Sequence, residues 1–440
     1  MDQQKVSEEY KQTDVGVIPI DWALIQVQDA CGFIVPGRNK PSKFDGDIPW
    51  ITTPDLIDGR VVYKSLSSLK ISRAEAKAVG SRIVPAGSVI MSCVGELGVV
   101  AIAGCDMVLN QQLHAFIPSG RVNSYYLAYA LKTQEDYFYS AATKTALPYL
   151  NKDNCNAKPL VLPKISEQTA IANALSDVDA LIASLEKLIA KKSAIKTAAM
   201  QQLLTGKKRL PPFDQQHTGY KQTELGEIPE DWKVKTIDSI SAVPMQNGLF
   251  YEPSRKGSGV SLINVGDMYK SAPIDISQLE YFDANKTEIT TFRVLAGDLF
   301  FTRSSIVPSG IAYCNIYDTD DLDRDVVFDS HLIRVRVDDV IADAKYVYLA
   351  CMSNLARRFL IGSAKTATMT TIDQGAIKQC PVLLPCKEEQ IAIAKLFSDM
   401  DSEIDALEQR LNKTQKIKQG MMQELLTGKT RLLSHLGDKK

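Results

Sequence analysis

The residues of this chain best suited to hydrolytic chemistry are Pro54-Asp55 and, twenty positions on, Glu75-Ala76-Lys77. Two carboxylates for Mg²⁺ and a lysine beside an attacking water are the parts of a metal-dependent nuclease core. The plainer reading is a loop aspartate plus a solvated Glu and Lys on one helical turn, 72–78. That reading is favoured, because the corresponding stretch of the second half lacks the set. No G-x-x-x-x-G-K-[ST] loop occurs, so ATP hydrolysis is not expected of this chain. Thr205-Gly-Lys-Lys-Arg209 and its copy Thr427-Gly-Lys-Thr-Arg431 imitate half of such a loop, but they follow helices and read as helix stops. Gly95-Glu-Leu-Gly98 reads as a strand turn. Eight cysteines and four histidines are scattered without a C-x-x-C pair, which argues against zinc and against a disulfide framework. The acidic run at 318–325 reads as a solvated loop, since it lacks the Gly and terminal Glu of an EF-hand.

Recognition of base edges and phosphates needs a different set, Arg, Lys, Asn or Gln carried on loops. Two similarly placed basic loops offer it: Arg38, Asn39, Lys40 and Lys43 in the first half, Arg255 and Lys256 in the second. Thr53, Asp55 and Lys64 accompany the first loop, and Asn264, Lys270 and Arg303 the second. Lys144 in Ala142-Thr-Lys-Thr145 matches Lys365 in Ala364-Lys-Thr366, where a lysine among hydroxyls suits phosphate contact. These are the expected DNA-binding residues; for any one of them a solvated surface charge is the competing reading. The net charge of −1 excludes a protein that holds duplex by bulk positive charge. It leaves a reader with local contacts, or one whose partners grip the backbone. Segment 162–211 carries 8 basic and 4 acidic residues and segment 212–383 carries 17 and 23, so positive charge concentrates on the first linker.

An internal repeat determines which elements must position these residues. YKQTDVGVIPIDW at 10–22 returns as YKQTELGEIPEDW at 220–232, and 162–210 returns as 384–432 with 25 of 49 positions identical. Ile171, Leu175, Val178, Ile182, Leu185 and Ile189 are spaced 4, 3, 4, 3, 4, and Ile393, Phe397, Met400, Ile404, Leu407 and Leu411 follow the same rhythm. That spacing predicts a coiled-coil seam on each of two long helices. Pro163 and Pro385 precede them, and Gly206 and Gly428 stop them. The simplest burial of two seams is against each other; if antiparallel, the globular segments sit at opposite ends about a pseudo-twofold axis. Ala170, Ala174, Leu181 and Leu188 widen the stripe, as a surface for partner helices would. The expected organisation is a globular domain at 1–161, a spacer helix at 162–211, a second globular domain at 212–383 and a second spacer helix at 384–440. The fold class is α+β: two mixed domains separated by an antiparallel helix pair. With no apolar run near the roughly 20 residues of a membrane span and a polar, acidic start, a cytoplasmic protein without a secretory leader is expected.

The order of variable domain, repeated helix, variable domain, repeated helix resembles the specificity subunit of type I restriction-modification enzymes over nearly the whole chain. Its local signatures are Ile18-Pro-Ile-Asp-Trp22, Gly46-Asp-Ile-Pro-Trp-Ile-Thr52, Gly95-Glu-Leu-Gly98, Asn110-Gln-Gln112 and a Pro-x-x-x-Glu-Gln start to each helix. The second half departs from the pattern, with Val260-Ser-Leu-Ile-Asn264 where the first has Ile-Pro-Trp-Ile. The resemblance implies that each domain reads one half of a split site on double-stranded DNA. It implies that the helices set the gap and dock two methyltransferase subunits, and that restriction subunits complete the complex. S-adenosylmethionine, ATP and Mg²⁺ would serve those partners, with no cofactor and no catalysis in this chain. The alternatives are a two-domain scaffold that does not read DNA, and an enzyme using Asp55, Glu75 and Lys77.

Overall fold

The repeated opening segment folds as the same tight hairpin in both halves. Tyr10–Thr13 pairs antiparallel with Gly16–Pro19, and Tyr220–Thr223 with Gly226–Pro229. Gly16 and Gly226 turn the chain at φ +109° and +103°, a region that glycine enters without a Cβ penalty. The computed structural model describes residues 9–432 except 38, 134, 144–146, 217–218, 251, 320, 322 and 367–369. It divides into two units, Met1–Lys187 with Glu408–Lys440, and Leu188–Leu407.

In the first unit a five-stranded sheet runs in the order Cys31–Ile34, Leu113–Pro118, Val89–Ser92, Val100–Ala103, Val61–Val62. Its central strands are apolar on both faces because both faces are covered. Val89, Met91 and Phe116 meet Tyr126, Leu127 and Leu131 of the helix Ser124–Lys132. The alternate residues Ile90, Ala101 and Ala115 meet Ile51 and Leu109. These last belong to a smaller sheet of Val108–Leu109, Ile48–Ile51 and Lys70–Ile71, in which the first two strands are parallel. The second unit repeats the plan. Gln246–Asn247, Leu332–Arg336, Asp298–Thr302 and Cys314–Ile316 form the main sheet, and Glu280–Phe282, Lys256–Ile263 and Val326–Phe328 the smaller one. Each unit carries two short helices in succession, Ser124–Lys132 with Glu135–Ala141 and Ala344–Met352 with Asn354–Gly362.

The repeated segments are the helices Ile165–Leu203 and Lys387–Leu425, 39 residues each, or about 58 Å at 1.5 Å per residue. Their first seam residues do not face a helix alone. Ile171 and Leu175 share a core with Trp22, Tyr126, Leu425 and Leu426, and Ile393 and Phe397 share one with Leu203, Leu204 and Tyr346. The helix ends are therefore part of the globular cores, since the sheet-covering helices leave apolar surface that only these side chains cover. Within the first unit Lys418 pairs with Asp179 at 2.5 Å. Within the second, Lys192 pairs with Glu403 at 2.8 Å and Lys196 with Asp401. Partner numbers fall as helix numbers rise, the order of segments running in opposite directions.

The packing accounts for residues that the two halves share. In the first unit Gly428, at φ +73°, lies so close to Pro19 that a Cβ would come within 2.4 Å of the ring. Tyr10 Oη donates to Gly428 O, and Arg431 forks onto Glu167 and Asp21 over the face of Trp22. In the second unit Gly206, at φ +70°, meets Pro229 in the same way, and Arg209 forks onto Glu389 and reaches Asp231. Both arginines are held charged, their ionisation pushed up mainly by those glutamates. Gln168 and Gln390 are buried, accept from Asn123 N and Asp343 N, and donate to Pro163 O and Pro385 O. Each hairpin thus receives a helix tail, and each Glu-Gln pair clamps a helix start.

Candidate nucleic-acid interface

Parallel strand pairs leave their carboxyl ends on one edge, where the following loops gather. In the first unit that edge follows Ile51 and Leu109. Thr52-Thr53-Pro54-Asp55 and Asn110-Gln111-Gln112 leave it side by side, with Asn110 N donating to Ile51 O. Asp55 is 5 % exposed and accepts from Thr52 N, Thr52 Oγ1, Ser65 Oγ and Leu66 N. With its acceptor sites taken up inside the protein, it fastens the loop that carries Lys64. Glu75 accepts from Ser42 N, Ser42 Oγ and Lys43 N, and these bonds, the backbone one from Ser42 first, hold its carboxyl below the usual range. Asp55 and Glu75 are thus the anchors of two loops. The second half does supply a counterpart to Asp55: Asp267, 5 % exposed, accepts from Asn264 N and Lys270 Nζ. Glu288, third in the helix Lys286–Phe292 as Glu75 is in Arg73–Ala78, holds Arg255 as Glu75 holds Ser42 and Lys43, so of the three residues only Lys77 is without a counterpart in this half among the described residues. Among the described residues no group of three His, Cys, Asp or Glu could hold a metal.

A cleft of about 830 Å³ opens beside this edge, lined by Pro36, Gly37, Asn39, Lys40, Trp50, Asn110, Gln111, Gln112, Tyr149 and Lys152 among others. Gln112 and Val94 also line an adjoining cleft of about 850 Å³ with Thr53, Glu96 and Lys132. Asn39 and Lys40 are exposed in the first cleft, and Thr53 Oγ1 donates to Gln112 Oε1 at 3.3 Å. Lys43 and Lys64 are exposed outside both clefts. Arg38 and Lys144 lie outside the described residues.

The second unit distributes its expected residues differently. Arg255 is engaged internally: its guanidinium forks onto Glu288, bonds Asp283 O and covers the Phe282 ring at 4.6 Å. Lys256 pairs with Glu280 at 2.7 Å. Lys256 begins the strand Lys256–Ile263 and Arg255 immediately precedes it, whereas Asn264 follows the far end, about 26 Å from Lys256 at 3.3 Å per residue. Lys270 is held by Asp267 at 2.8 Å, which raises its ionisation. Arg303 and Lys365 share a neighbourhood. Ser304–Ser305 pairs with Thr370–Thr371, which pairs in turn with Lys365–Thr366. Arg303 is exposed, and Lys365 lies 3.3 Å from Asp373.

Asp329-Ser330-His331 occupies in this unit the place of Asn110-Gln111-Gln112, although the two stretches share no residue. Asp329 N donates to Ile263 O as Asn110 N does to Ile51 O. Arg303 N donates to His331 O as Cys93 N does to Gln112 O, and Ile372 N to Arg303 O as Leu150 N does to Cys93 O. In the sequence Asn110-Gln-Gln112 serves only as a signature of the first half and is not matched with 329–331. A usable signal was present: each triplet follows an apolar pair, Val108-Leu109 or Val327-Phe328, and precedes Leu113 or Leu332 at the same spacing.

The family model described as Type I restriction modification DNA specificity domain matches residues 19–195 and again 229–419. The chain is 24% identical over 443 residues to the type I restriction enzyme MjaIX specificity subunit of Methanocaldococcus jannaschii, covering 96% of this chain and 97% of that one. It is 26% identical over 431 residues to the MjaVIII specificity subunit of the same organism, covering 94% of each. The crystal structure of a type I restriction-modification S subunit from M. genitalium shares its fold, with TM-score 0.55 at 13% identity over 92% of this chain and 96% of that one.

Proposed function

From the premise that this chain belongs to the family of type I restriction-modification DNA specificity domains, we propose that it is the sequence-reading subunit of such a complex. Each globular unit reads one half of a bipartite site on double-stranded DNA. The observation that carries this is the double match of the family model, once on each half. It is supported by the equivalent polar edge in each unit, at Gln112 and at His331.

The long helices act as spacer and dock. The opposed ion pairs of the second unit, Lys192–Glu403 and Lys196–Asp401, support an antiparallel coiled coil, and the repeated packing of helix tail on hairpin supports its pseudo-twofold symmetry. Leu181 and Leu188 stay 38 % exposed, which supports a further apolar surface for two methyltransferase subunits. The chain has no catalysis of its own in this reading. Methyltransferase subunits bring S-adenosylmethionine, and restriction subunits bring ATP hydrolysis and Mg²⁺. With a net charge of −1, the partners supply much of the grip on phosphate.

The test is to co-express the chain with its neighbouring methyltransferase and map N6-methyladenine across the genome. The expected result is a split motif with a fixed gap, and exchange of residues 212–383 for those of a relative should change one half only. A stable complex with an active partner but no methylation overturns the reading.

A further inference from the structure

We propose that Gln112 and His331 are the corresponding base-reading side chains of the two domains, each locked in its reading pose by the Asn or Asp two residues before it. The proposal deepens the function above and rests on it. Gln112 N donates to Asn110 Oδ1 at 3.1 Å, which fixes which way round the Asn110 amide stands. Asn110 Nδ2 must then face Gln112, and it donates to Gln112 Oε1 at 3.1 Å, beside the bond from Thr53 Oγ1. The Gln112 carbonyl oxygen is thereby occupied twice, and its amide N–H groups are the part left for a ligand in the cleft. In the second unit His331 N donates to Asp329 Oδ1 at 2.7 Å, and the ring Nδ1–H donates to the same oxygen at 2.8 Å. Asp329 is buried while the His331 side chain is 60 % exposed. That bond selects the Nδ1–H tautomer, the one in which Nε2 carries the lone pair.

The two sites use one device. An Asn or Asp at the carboxyl end of a parallel strand grips both the backbone and the side chain of residue i+2. Neither reader has to give up rotamer freedom on binding, the usual cost of a polar contact to a base. Their chemistry differs, as reading two unlike half-sites requires. Gln112 offers donors and suits an acceptor in the major groove, such as guanine O6 or N7, or thymine O4. His331 in the Asp329-selected tautomer offers an acceptor and suits the amino group of adenine or cytosine. Arg303 and Lys365 beside His331, and Lys40 and Lys152 beside Gln112, supply charge toward phosphate.

The experiment uses the full chain in complex with its methyltransferase, selected on duplexes randomised across the motif. Gln112→Leu should flatten one position of one half-site, with discrimination there falling on the order of ten- to a hundred-fold, while the other half and the gap stay unchanged. His331→Phe should do the same to one position of the opposite half. Gln112→Glu replaces donors by acceptors and should move the preference at its position toward a base with an amino group. Asn110→Ala frees the Gln112 side chain and should blur that same position. An unchanged motif in Gln112→Leu and His331→Phe, or a uniform loss across both halves, overturns the proposal. If the wild-type complex selects no split motif at all, it is the specificity-subunit reading that fails.

Discussion

His114 lies two positions beyond Gln112, on the strand Leu113–Pro118 that begins just after it, and its side chain is shut inside the domain. Its Nε2–H donates to Asn156 Oδ1 at 3.0 Å, and Phe116 lies edge-on at 4.8 Å. Burial is the main cause that lowers its ionisation from 6.5 to about 4. The folded state therefore binds the proton more weakly than the unfolded chain does. The stability this contributes is complete above about pH 6.5 and drains away as pH falls toward 4. Between pH 6.5 and 5 the loss is roughly 1–2 kcal/mol. Urea titrations of the full chain at the two pH values should show it, and His114→Gln should remove most of the difference. An equal pH slope in that variant would place the acid sensitivity elsewhere.

At the scale of elements, the hairpins and helix tails carry the burden of assembly. Gly206 and Gly428 stop their helices at positive φ and lie against Pro229 and Pro19 with no room for a Cβ. A side chain at either position meets both an unfavourable backbone region and a proline ring. Gly428→Ala is expected to destabilise the first unit by about 2 kcal/mol, and Gly206→Ala the second by a similar amount. Calorimetry of the full chain checks this, and an unchanged melting profile in both variants would show that the tails do not hold the hairpins. The same contacts explain why Ile-Pro-x-Asp-Trp and Thr-Gly-Lys-x-Arg repeat together. Each pairs with the other, so neither could drift alone.

At the scale of the whole molecule, charge and function pull in different directions. The chain carries −1 overall, and in its second unit Arg255, Lys256 and Lys270 are each paired with an acid. Few cations remain there for phosphate. The isolated chain should bind duplex weakly, with a shallow fall of log K against log salt, and adding methyltransferase subunits should steepen that slope as further phosphates are neutralised. Fluorescence anisotropy over a salt series measures both slopes. A slope for the isolated chain equal to that of the complex would show that this subunit itself holds the backbone.

The repeat, the two long helices, the α+β domains and the family could all be read in the sequence. Those properties depend on local periodicity and on identical segments recurring at a fixed distance. The site was legible only in part. Asn39, Lys40, Arg303 and Lys365 stand out by residue type and prove exposed, whereas Arg255 stands out equally and is engaged with Glu288, 33 residues away. Asp55 and Glu75 look catalytic in a list of residue types, and only the surrounding N–H groups reveal them as loop anchors. The equivalence of Gln112 and His331 was decided by tertiary structure, the shared spacing to Leu113 and Leu332 being its trace in the sequence. It consists of backbone hydrogen bonds at a strand end, and those bonds are indifferent to which side chain they present.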